Sequence, residues 1–135
     1  MKNINLNSDI GEGFGVYDIG NDAEMLKIVN SANIACGFHA GDPNVMDRVV
    51  KQSIKNGVSI GAHPGFNDLW GFGRRQIHMS TDEIEASVAY QIGALQAISA
   101  TSNAIVTHVK PHGALNNMSS LDPAIATAIA RGVNL

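Results

Sequence analysis

Cysteine and proline are scarce: the 135-residue chain has one Cys, Cys36, and four Pro. A single thiol makes no internal disulfide, which agrees with a reducing, cytoplasmic setting. Charged residues make up only 16% of the chain and aromatics 5%, with nine Lys and Arg against twelve Asp and Glu. That mildly acidic balance, without a basic stripe, argues against nucleic acid as the main partner, because phosphate binding needs clustered cations. No run approaches the roughly eighteen apolar residues of a membrane span. The N-terminus Met1-Lys2-Asn3-Ile4-Asn5 lacks the apolar stretch of a signal peptide, so no membrane association or secretion is expected. Internal repeats, low-complexity tracts and linkers are also missing, which leaves a single domain over residues 1–135.

What is present is apolar side chain, 44% of the residues, and fourteen glycines that cluster after short apolar runs. Short apolar run, Gly-rich loop and helical run recur in that order, the pattern of an α/β fold. Strands are expected near Asn3–Ser8, Ala32–Cys36, Val58–Ala62 and Ala104–Val109. A helix from Asp22 to about Asn30 follows the first glycine loop. The next is capped by Asp42, has Pro43 in its first turn, carries Met46, Val49, Val50 and Ile54 as its stripe, and stops at Gly57. Ser80-Thr81-Asp82-Glu83 reads as a capping box before Ile84, Val88, Ile92, Leu95 and Ile98 at helical spacing. A last helix runs from Asp122-Pro123 to Arg131, and Gly132-Val133-Asn134-Leu135 reads as a stop followed by a new strand. Four βα units that end on the start of another strand suggest a truncated chain, half of a barrel, with an open doubly wound sheet as the alternative.

The polar residues with chemical capability collect at the carboxyl ends of these strands. Asp9 and Glu12 follow the first, His39 and Asp42 the second, His63 the third with Asp68, Arg74 and Arg75 in its long loop, and Lys110 and His112 the fourth. In a parallel α/β fold those loops open on one face, where active sites lie. Asn5, Asn7 and Asp9 share one face of the first strand, and His108 and Lys110 one face of the fourth, which points to a polar pocket.

Each residue also has a plainer reading. Asp42 before Pro43 is first of all an N-cap. Asp9 and Glu12 are able to close turns, and His63 and His112, each beside Pro and Gly, to serve as hydrogen-bonded structural histidines. Two histidines and a lysine on one rim favour function. His78 reads as solvent-facing and Cys36 as a small core residue rather than a nucleophile. Gly11-Glu12-Gly13-Phe14-Gly15-Val16 has Val16 where a dinucleotide fingerprint requires Gly, and neither a Gly-Lys-Ser/Thr phosphate loop nor zinc-type Cys pairs occur.

Four stretches occur in order over most of the chain. They are Leu6-Asn7-Ser8-Asp9-Ile10-Gly11-Glu12-Gly13-Phe14-Gly15, Ala32-Asn33-Ile34-Ala35-Cys36-Gly37-Phe38-His39-Ala40-Gly41-Asp42-Pro43, Gly61-Ala62-His63-Pro64-Gly65-Phe66 and His108-Val109-Lys110-Pro111-His112-Gly113-Ala114-Leu115. Together they resemble the LamB/YcsF family, whose complete chains are about twice this long, so the resemblance covers an N-terminal half. It implies the N-terminal part of a distorted β/α (TIM-like) barrel of the glycoside hydrolase/deacetylase type. It further implies the ATP-dependent opening of the 5-oxoproline lactam to L-glutamate, with ATP as co-substrate alongside Mg2+, and 5-oxoprolinase subunits B and C as partners.

Within that resemblance, the expected catalytic residues are Asp9 as base for water or the lactam nitrogen, Lys110 and His112 as stabilisers of charge on oxygen, and His63 as orienter or proton donor. Glu12, Asn33, His39, Asp42, Arg74 and Arg75 are the expected substrate-binding residues, the two guanidinium groups suiting a carboxylate or phosphate. No metal ligand is assigned. Two other classes remain: a metal-dependent deacetylase or amidohydrolase using Asp9 with His63 and His112 or His39, and a non-catalytic subunit that binds the lactam or scaffolds its partners.

Overall fold

The computed structural model describes residues 4–134. Four strands, β1 (Asn7–Ile10), β2 (Ser31–Ala35), β3 (Ser59–His63) and β4 (Val106–Val109), are joined by helices. These are α1 (Asp22–Met25), α2 (Pro43–Asn56), α3 (Thr81–Ala100), α4 (Gly113–Ser119) and α5 (Pro123–Val133). All strand pairings are parallel, in the order β1-β2-β3-β4. A sheet that advances one strand at a time follows the progression of a β/α barrel, whereas a doubly wound sheet reverses its order at a switch point.

Local signals account for the long helices. Asp42 caps α2 by accepting from the amides of Asn44 and Val45 at 2.8 and 3.0 Å, and Gly57 ends it in the left-handed region at φ 66°. At α3 both arms of the capping box form: Ser80 Oγ accepts from the Glu83 amide at 3.3 Å, and Glu83 Oε2 accepts from the Ser80 amide at 2.7 Å. Val45, Met46, Val49 and Val50 of α2 and Ile84, Val88, Ile92 and Leu95 of α3 cover one sheet face, joined by Ile10, Ile34 and Ile60 from the strands. Cys36 belongs to this core, where burial pushes its thiol up to about 12, so it is no nucleophile. α5 packs along α3.

Several expectations shift. β1 starts at Asn7, later than expected, and Asn3 lies outside the described residues. The first helix is a single turn, because Ile28 is exposed and only Leu26 and Val29 bury apolar surface there, too little to hold a longer helix. The stripe of α2 continues through buried Ser53 rather than Ile54, which is 44% exposed. α4 is additional. The chain is still helical at Val133, where a strand was expected, and Leu135 lies outside the described residues. Among the described residues no helix is long and apolar enough to cross a membrane.

Candidate active site

The parallel register sets one row of residues across the sheet: Asp9 opposite Asn33, Asn33 opposite Gly61, and Gly61 opposite His108. Gly61 is the gap in that row, and a Cβ there would overlap the His108 ring. Through this gap His108 Nε2 reaches Asn33 Oδ1 at 3.2 Å, and the Asn33 amide donates to Asn7 Oδ1 at 2.8 Å and Asp9 Oδ1 at 2.9 Å. Lys110, just past β4, spans to the other edge and donates to both Asp9 oxygens at 2.7 and 2.8 Å. Burial of Asp9 opposes its charge, but hydrogen bonds from His63, Lys110 and Asn33 outweigh it and hold the carboxyl well below its usual range.

Behind this pair stand three imidazoles and a carboxylate. His39, His63 and His112 are buried at 1%, 1% and 4% exposure, and Glu12 is half-buried among them. Glu12 Oε1 lies 3.0 Å from His39 Nε2, 3.5 Å from His112 Nδ1 and 3.9 Å from His63 Nε2. The His39 and His112 rings stack 3.7 Å apart at 5°, and His63 meets His112 edge-on at 88°. Burial pushes His112 down to about 4, and it lowers His39 as well, although Glu12 pulls that ring back up. Burial therefore favours the uncharged form of both rings.

Their outer nitrogens are tied to backbone. His63 Nδ1 donates to the Lys110 carbonyl at 2.5 Å, and His112 Nε2 donates to the Phe72 carbonyl at 2.8 Å. A carbonyl only accepts, so each of these nitrogens must carry its proton. Phe72 sits at φ 54° and Gly73 at φ 60°, and a Cβ on Gly73 would lie 2.6 Å from His39 Cβ and 2.9 Å from His112 Cδ2. The loop thus presses against the imidazole stack where only glycine fits.

Of the residues singled out on sequence, Asp9, Glu12, Asn33, His39, His63, Lys110 and His112 come together. Asp42, Arg74 and Arg75 stand apart. Asp42 accepts from the Gly15 amide at 2.7 Å besides its two capping bonds, so its carboxylate is engaged by backbone. Arg75 donates through Nε to Asp68 Oδ1 at 2.9 Å, and exposed Arg74 lies 5.6 Å over the Phe72 ring. Beside Glu12 and His39 an open cleft of about 540 Å³ is lined by Phe14, Tyr17, Leu69, Trp70 and Phe72. Sequence reading missed Gln91 of α3, which is fully buried and pairs with the Gly65 backbone in both directions, at 2.9 and 3.0 Å. Its signal was a polar residue on the apolar stripe, one turn beyond Val88.

Fold and site define a parallel α/β protein with an acid, imidazole and lysine cluster at the carboxyl ends of its strands. The chain belongs to the LamB/YcsF family, whose profile matches residues 4–135. It is 56% identical over its whole length to the A subunit of 5-oxoprolinase from Natranaerobius thermophilus and 58% identical over 134 residues to that of Geobacillus kaustophilus. A crystal structure of a lactam utilization protein from Thermus thermophilus superposes with a TM-score of 0.96 at 46% identity, covering 98% of this chain and 53% of that one. The chain spans about half the length of these relatives, 52% of each of the two 5-oxoprolinase chains.

Proposed function

We propose that this chain carries the lactam-opening site of an ATP-dependent 5-oxoprolinase, which turns 5-oxoproline, ATP and water into L-glutamate, ADP and phosphate. The observation that carries it is the convergence of Asp9, Glu12, His63, Lys110 and His112 in a chain so similar to the A subunits of 5-oxoprolinases. Its four strands form the N-terminal half of a distorted β/α barrel, and subunits B and C complete the enzyme in the cytoplasm.

An unstrained five-membered lactam resists water, and phosphorylation of its amide oxygen by ATP, with Mg2+, makes the ring carbon a good electrophile. The Asp9–Lys110 pair then divides the work. While Lys110 rests on Asp9, the carboxylate is a weak base. When the ammonium turns to the charge developing on the substrate oxygen, Asp9 loses that partner, its basicity rises, and it takes the proton of the attacking water. His112 and His63 face the same centre, where His63 orients Asp9. The proton Asp9 took from water passes to the departing nitrogen, the ring opens to an acyl phosphate, and a second water hydrolyses that to L-glutamate and phosphate.

The test is L-glutamate formation from 5-oxoproline by the protein at full natural length with subunits B and C, with and without ATP. ATP-dependent glutamate, lowered about 100-fold or more in Asp9→Asn, is expected. No glutamate under any condition refutes the activity, and full turnover in Asp9→Asn removes it from the mechanism.

A further inference from the structure

Both hydrogen-bonded histidines aim their remaining nitrogen at the same point. With Nδ1 of His63 and Nε2 of His112 committed to the Lys110 and Phe72 carbonyls, the remaining nitrogens face each other, Nε2 to Nδ1, at 3.1 Å. The third corner is Glu12 Oε1, 3.5 Å from His112 Nδ1 and 3.9 Å from His63 Nε2. Zinc–nitrogen and zinc–oxygen bonds of about 2.0–2.2 Å in tetrahedral geometry place neighbouring ligand atoms about 3.4 Å apart. The three edges, 3.1, 3.5 and 3.9 Å, bracket that value.

We infer that Glu12, His63 and His112 are the three protein ligands of a divalent transition-metal site of the zinc class, with the remaining position open. Imidazole donors favour such ions over Mg2+ or Ca2+. The backbone carbonyls on the outer nitrogens fix tautomer and ring orientation, as partners of metal-bound histidines do.

His39 is close enough to count as a fourth ligand, and the four ligand atoms all lie within 4.8 Å of one another. Its geometry excludes it. The His39 ring is stacked parallel to His112, so an ion in the plane of His112 lies over the face of His39 rather than on its lone pair. His39 instead donates from Nε2 to Glu12 Oε1 at 3.0 Å, while its Nδ1 is buried without a partner. It is a positioning residue that aims the carboxylate. Asp9 Oδ2 stands 3.4 Å from His63 Nε2, beside the site.

The inference deepens the reading of this rim, yet binding is measurable without turnover. The full-length protein, stripped with a chelator and dialysed, is titrated with Co2+ and then with Zn2+, followed by visible absorption and by metal analysis. One Co2+ per chain with the intense visible bands of tetrahedral coordination, displaced by Zn2+, is expected. A sulfur charge-transfer band is not, because Cys36 is no ligand. Glu12→Gln, His63→Gln and His112→Gln each lose stoichiometric uptake, with circular dichroism reporting the fold. His39→Ala weakens affinity about 10- to 100-fold and leaves the bands in place, and His39→Gln, which keeps an N–H donor, recovers affinity. Failure of the unaltered protein to take up one equivalent overturns the site, as does uptake that persists in all three ligand variants. Stoichiometric metal without ATP-dependent glutamate leaves the site standing and removes the lactam reading instead.

Discussion

Replacing Gln91 by Met tests whether the loop behind His63 is held by one buried amide. The Gln91 side chain accepts from the Gly65 amide at 2.9 Å and donates to the Gly65 carbonyl at 3.0 Å, and both residues are buried. Met has nearly the same length and volume, so the core stays filled and the loss is polar. Two buried backbone groups are left without partners, each worth about 1–3 kcal/mol, so the destabilisation is roughly 2–6 kcal/mol. The bond from Gln91 Nε2 to the Ser87 carbonyl adds little, because that carbonyl already serves the helix ladder. At a urea slope of about 2 kcal/mol/M the midpoint falls by about 1–3 M. Gln96 on the exposed side of α3 is the control, and Gln96→Met stays within about 0.5 kcal/mol. A Gln91→Met midpoint within the Gln96→Met range refutes the reasoning and assigns the loop to its other contacts.

Asp68 is held down to about 2, chiefly by hydrogen bonds from the Arg75 side chain and also from the Gly71 amide. Its folded value is depressed, so its contribution is complete above the unfolded value near about 4 and is lost as pH falls toward about 2. The stability advantage over Asp68→Asn therefore shrinks across that acid window in denaturation curves, and a pH-independent difference counts against the ion pair. Ser80→Ala removes one arm of the capping box and lowers stability by about 1 kcal/mol, read as a shift in thermal midpoint. Gly73→Ala strains a positive φ and pushes on His39 and His112, so Co2+ uptake at the rim falls in a chain that remains folded.

What the sequence made legible is what local chemistry decides. α2 was readable because Asp42, Pro43 and Gly57 each act within one turn of their own position, and α3 because its capping box closes over three residues. The rim was readable because strand ends in parallel folds open one way. Phase errors hid the rest. Along α2, Ser53 follows Val49 and Val50 at the spacing of the buried face, while apolar Ile54 is turned outward. Composition alone favoured the wrong neighbour. α4, which starts at Gly113 and has no side-chain cap, leaves no signature of its own.

Partners within the site were hidden for a different reason. The loop from Pro64 to Met79 decides which histidine nitrogen is free, and it does so through backbone. Asp68 accepts from the Gly71 amide at 2.9 Å and from Arg75 Nε at 2.9 Å, and the Asp68 carbonyl accepts from the Gly73 amide at 2.9 Å. The Gly73 carbonyl in turn accepts from the Ala114 amide at 2.9 Å, at the start of α4. Closed at both ends, the loop has one free direction for the Phe72 carbonyl, toward His112 Nε2. Gly71-Phe72-Gly73 stands in the sequence as two glycines around one aromatic, but what they approach does not. On this account Arg75 acts on the site at a distance: it anchors the carboxylate that shapes the loop that fixes the His112 tautomer. Loss of Arg75 should then loosen metal uptake and loop stability together, whereas loss of exposed Arg74 should alter neither.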